Sequence, residues 1–149
     1  IMAITYPNHL DVDILSPLQE LINGEFTQPV SFDPEYVARG TNWFNLQPIA
    51  DNTLEDLASG HIHEYEVLVQ YYRIMSGQSS KDTHIDVISN IIERLKRLIR
   101  NNTSYTNSDG QKFFNGRLEA IDYQSDNPDV SSDVQLVEAT FIANVLEVV

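Results

Sequence analysis

The chain has no cysteine. That excludes disulfides, thiolate nucleophiles and cysteine-type zinc sites, and it suits a reducing cytoplasm. Positive charge is scarce: nine Lys and Arg stand against 22 Asp and Glu, for a formal net charge of −13. So acidic a surface repels phosphates, which argues against sequence-specific reading of nucleic acid. No apolar run is long enough to cross a membrane, and the opening IMAITYPNHLDVD carries no signal-peptide pattern. G-x-S-x-G, P-loop, G-x-G-x-x-G and H-E-x-x-H motifs are also missing, so no enzyme class stands out. What is present is enough to fold. Hydrophobic residues make up 42% of 149 positions, which predicts one domain, 1–149, with its own core.

Residues 11–23, DVDILSPLQELIN, read as a first helix, with Ile14, Leu18, Leu21 and Ile22 on one face and Gly24 as its stop. Pro17 suits a first helical residue, which moves the start to Ser16. Residues 29–49 hold short extended pieces, the best being WFNLQ, 43–47. The acidic 50–60 reads as a loop, and 75–82 as a flexible connection.

The clearest element is 84–100, HIDVISNIIERLKRLIR. Its eight aliphatic side chains, from Ile85 to Ile99, fall within an arc of about 160°. Thr83 is the expected N-cap, with Asp86 completing a capping-box-like pair. Beyond a turn-rich 101–111, residues 112–124 predict one or two short strands, and 125–133 a polar, mobile tip. The chain closes on a long strand from 134, VQLVEATFIANVLEVV. Its odd positions, 137 to 145, are all apolar, while its even positions mix Leu136 and Ile142 with polar residues. One dry face and one mixed face fit an antiparallel sheet covered on one side. The fold class expected is α+β: an antiparallel or mixed β-sheet packed against two α-helices.

Residues 61–74, HIHEYEVLVQYYRI, carry the densest chemistry. In a strand His61, His63, Tyr65, Val67, Val69 and Tyr71 share a face, and Glu64 and Glu66 lie opposite. A His-x-His pair can hold a metal from one face only with a further ligand from elsewhere, such as His9, His84 or an aspartate. The simpler reading is a core strand with two histidines near its end. The simpler reading of Tyr65, Tyr71 and Tyr72 is a half-buried strand position with one wet end. Arg94, Lys96, Arg97 and Arg100 read as a solvated helix face, or as a contact for an acidic neighbour.

In order and pattern, NWFNLQP, HIHEYEVLVQYYRIMSGQSS, HIDVISNIIERLKRLIR and the last strand resemble phage tail terminator proteins, over roughly residues 10–149. The resemblance implies a tail-terminator or tail-tube-like sandwich without catalytic residues, metal or cofactor. It implies a homo-hexameric ring that caps the tail tube, stops its polymerisation and joins the tail to the head–tail connector or stopper protein. DNA would pass through the lumen without sequence-specific binding, and no membrane is involved. The expected place is the virion tail or neck, with the host cytoplasm during assembly. Candidate subunit contacts are Leu136, Ile142, Leu146 and Val148, and the basic face with Arg94, Arg97 and Arg100. Candidate partner loops present Gln78 and Lys81, and Asp126, Asn127 and Asp129. Three other readings stay open: a tail tube or other head–tail joining protein, a small metal-dependent enzyme using His61 and His63, and a monomeric acidic adaptor.

Overall fold

A computed structural model describes residues 8–35, 37–58, 60–75, 78–108, 110, 112–123 and 134–148, with the backbone alone at 78–82 and 148. A π-helical turn, Leu10–Leu15, runs into α1 (Ser16–Glu25), which has Pro17 in its first turn. The missing N–H of proline costs nothing there, because the first helical donors have no partner inside the helix. Gly24 does not stop this helix. It ends at Glu25, where the N–H of Phe26 donates to the Ile22 carbonyl and the Phe26 ring is buried.

The strands are β1 (Val30–Ser31), β2 (Asn42–Leu57), β3 (Gly60–Ile74), β4 (Tyr105–Thr106), β5 (Lys112–Asp122) and β6 (Val134–Val148), with α2 (Gln78–Asn101) between β3 and β4. They form one mixed sheet, ordered β1-β2-β3-β6-β5-β4 and curled into a half-barrel carrying two helices. The fold is α+β. Among the described residues only the pairing of β1 with β2 is parallel.

Three expectations are corrected. Of the acidic 50–60, residues 50–57 are strand rather than loop. Asp51 to Leu57 pair with Tyr65 to Gly60, and the hairpin turns between Leu57 and Gly60. Ladder bonds to β3 override the weak strand preference of Asp, Asn and Glu. The helix expected at 84–100 begins at Gln78, so Thr83 and Asp86 lie inside it and form no capping box. The segment 101–111 contains the short β4, while 112–122 is a single strand with two register shifts.

The core lies between one sheet face and the helices. Tyr65, Val67, Val69 and Tyr71 of β3 and Val137 to Val145 of β6 meet Ile14, Leu18 and Ile22 from the first helical segments. On α2, Ile88, Ile91, Ile92, Leu95 and Ile99 complete it, and each fully buried side chain is worth about 1.5–3 kcal/mol. Ile85, assigned to this arc, is instead 65% exposed. On the opposite face Trp43 stacks on Tyr72, with ring centroids 5.1 Å apart, and Leu136 lies beside them in a second small cluster.

Candidate functional site

The histidine row is on β3 as its alternation dictates, and each histidine meets a carboxylate. His61 Nδ1 lies 2.7 Å from Asp56 Oδ1, across the hairpin. His63 Nδ1 lies 2.6 Å from Asp51 Oδ1, and its Nε2 lies 3.3 Å from Glu147 Oε2 on β6. The Tyr65 hydroxyl donates to the other oxygen of Glu147. Burial, and then the Glu147 carboxylate, push the Tyr65 phenol well above its ordinary range. The side chains thus run Asp51, His63, Glu147, Tyr65 across three strands. His9 shares a cleft of about 590 Å³ with Asp51, Tyr65 and Glu147, and its Nδ1 is 2.7 Å from Asp13.

Asp51, Asp56 and Glu147 are the partners that sequence reasoning missed. Reading 50–60 as loop concealed two of them. A hairpin alignment would have exposed them, since Asp56 stands directly opposite His61. Glu64, on the other face, lies 3.4 Å from Arg117. Among the described residues no three His, Asp or Glu side chains converge as a metal-binding group. The histidine nitrogens are oriented by carboxylates at the sheet margin, an arrangement that locks the hairpin to β6.

The proposed contact residues separate. Leu136 and Ile142 are 3% and 2% exposed, so neither offers a surface to another subunit. Leu136 is covered by Trp43 and Tyr72. Leu146 is 49% exposed at the far end of the same strand. The backbone of Val148 pairs with Gly60, and its side chain lies outside the described residues. Arg94 is engaged inside the chain: its Nη2 donates to Glu25 at 3.0 Å and its guanidinium stands 4.6 Å from the Phe26 ring centroid. Arg97 and Lys96 both pair with Glu93, which holds that carboxyl below its ordinary range. Arg100 is exposed beside a groove between α2 and β5. Asp126, Asn127 and Asp129 lie outside the described residues, as do the side chains of Gln78 and Lys81, whose backbone belongs to α2 rather than to a loop.

Two margins of the sheet are open among the described residues. Beyond its short pairing with β1 at Phe44 and Asn45, β2 has β3 as its one neighbour strand, out to Leu57. Positions Asp51–Leu57 are exposed on both faces. At the other end, β4 covers only Phe113 and Lys112 of β5, and the rest of β5 has one strand neighbour, β6. A groove of about 470 Å³ follows that margin, walled by α2. Among known proteins, no family model and no curated sequence matches this chain.

Proposed function

We propose that the chain is the subunit of a closed ring in a phage neck: a tail terminator that caps the tail tube, stops its growth and joins the tail to the head connector. The observation that carries this reading is the pair of unlike open margins at the two ends of one sheet. Unlike surfaces on one subunit make a head-to-tail contact, and such a contact closes into a ring when its rotation divides the circle. The order of elements supports the reading too: a helix, paired strands, an amphipathic helix and a long last strand follow one another as in the resemblance. The finer architecture, a tail-tube-like sandwich, belongs to the same proposal.

In this reading the partners are other copies of the chain, the tail tube protein and the connector or stopper protein. An acidic lumen lets DNA slide without sticking. The protein works in the virion neck after assembly in the host cytoplasm, and no catalytic step is assigned to it. Native mass by light scattering, with negative-stain imaging of the same sample and of its mixture with tail tubes, tests the proposal. The expected result is a ring of about six copies, free or on the tube end. Open filaments would favour a tube subunit. A monomer that leaves tube growth unchanged would overturn the terminator role.

A further inference from the structure

We infer that the acidic β2 margin of one copy docks into the groove between α2 and β5 of the next. The inference rests on the ring reading only for closure, because the contact itself stands on charge and shape. Over Ala50–Leu57 the margin presents Asp51, Glu55 and Asp56, together with Leu54 and Leu57, which are 51% and 40% exposed. This is a ridge of about 26 Å at strand rise, with negative and apolar side chains interleaved. The groove matches it. Lys96, Arg100 and Arg117 line it, three of the nine basic residues of a chain with net charge −13; Lys96 also pairs with Glu93 and Arg117 with Glu64, which leaves Arg100 as the most exposed cation of the rim. Glu119 is the one acidic side chain among its described lining residues. Leu118 and Ile121 form part of its floor, half-buried against the core, and Tyr123 stands at its end, 43% exposed.

An acidic surface repels its own copies nearly everywhere, so a second copy approaches best where its negative ridge meets this positive groove. Pro48 and the register shifts at Pro48/Ala50 and Thr53/Glu55 blunt the strand edge against unlimited backbone pairing. Recognition therefore falls to side chains, with Leu54 and Leu57 as apolar anchors and the carboxylates on the basic rim. Ridge and groove lie at opposite ends of the sheet, so each subunit gives one and receives the other.

Charge reversal tests the contact. A ridge variant (Glu55→Lys with Asp56→Lys) and a groove variant (Lys96→Glu with Arg100→Glu) are compared with the unaltered chain by sedimentation velocity across concentration. The unaltered chain associates, each variant alone weakens association by roughly tenfold or more, and mixing the two variants restores it as pairs of opposite charge meet. Restoration also shows that both variants fold. A ring that survives both reversals, or a mixture that regains nothing, overturns this contact and leaves the ring reading standing. An unaltered chain that stays monomeric also overturns the contact, and the assay on tail tubes then decides the ring reading separately.

Discussion

Asn45 donates from Nδ2 to Gln70 Oε1 at 2.8 Å, with both side chains buried on the sheet face away from the helices. The pair is the centre of a filled polar network. Asn45 Oδ1 accepts from Ser31 Oγ and from the Asp33 N–H, at 2.9 and 2.7 Å, and Nδ2 also reaches the Asp33 carbonyl. Gln70 Nε2 passes the chain on to Glu138. Asp33 meanwhile pairs with Arg39, which holds its carboxyl below the ordinary range. The network ties the segment after β1 onto β2, β3 and β6.

Replacing Asn45 with Ala strands the buried Gln70 carbonyl oxygen and takes the acceptor from the half-buried Asp33 N–H, while the Asp33 carbonyl keeps its bond from Gln47 Nε2. Buried groups that lose their partners carry the full cost of desolvation. Asn45→Ala is expected to lower unfolding free energy by about 2–3 kcal/mol. Urea titration followed by Trp43 fluorescence measures this, since Trp43 lies two residues away on the same face.

The Tyr65 phenol holds its proton more tightly in the folded chain than in the unfolded one, for the reasons of burial and the Glu147 carboxylate. A group with a raised folded pKa stabilises fully below its unfolded value and stops doing so as pH rises past it. The ordinary tyrosine value is 10.0, so the loss begins there and continues upward. Tyr65→Phe removes the Glu147 hydrogen bond and is expected to cost about 1–2 kcal/mol at neutral pH. Above pH 10 the gap between variant and parent narrows, as the parent alone pays for this ionisation. Thermal melts from pH 7 to 11 decide it, and a gap that stays constant overturns the assignment.

Much of this fold is legible in the sequence, because periodicity reports burial directly. The alternation at 137–145 and the 3.6-residue spacing from Ile88 to Ile99 both identify the core. The β2 hairpin was concealed because Asp51-Asn52-Thr53 has turn composition, while its strand form depends on register with β3, which no local pattern encodes. The same limit applies to contact surfaces. Leu136 and Ile142 lie on the mixed face that patterning marks as exposed, yet Trp43 and Tyr72 close over Leu136 through a pairing distant in sequence. Arg94 shows it for charge, since its partners are Glu25 at the end of α1 and Phe26 just after it, both distant in sequence.

Gly116 marks a tight point within β5. A Cβ built there would stand 2.8 Å from Phe113 Cε1 and 3.2 Å from the Thr103 carbonyl, to which the Gly116 N–H donates at 2.6 Å. Phe113 is 1% exposed and packed against Phe141, so its ring has little room to yield. Gly116→Ala is expected to destabilise by about 1–3 kcal/mol. Asn115 beside it has φ 55°, in the left-handed region where a β-branched side chain is strained. Asn115→Val should cost about 1–2 kcal/mol and Asn115→Gly almost nothing. Equal effects of Val and Gly in chemical denaturation would show that this backbone relaxes freely.

Zinc addition separates the enzyme reading from the structural one. A metal site on this face needs His61 and His63 together with at least one further ligand in geometry. Instead, His61 Nδ1 is taken by Asp56, and the two nitrogens of His63 face Asp51 and Glu147. The two imidazole rings lie edge to face with centroids 6.0 Å apart. A ligand that binds only the folded chain raises its melting temperature in proportion to the logarithm of concentration over Kd. Zinc is therefore expected to leave the melting temperature of the parent and of His63→Ala equally unmoved, although His63→Ala itself melts lower through loss of its carboxylate contacts. A zinc-dependent rise in the parent that His63→Ala abolishes would restore the metal-dependent enzyme as the leading reading.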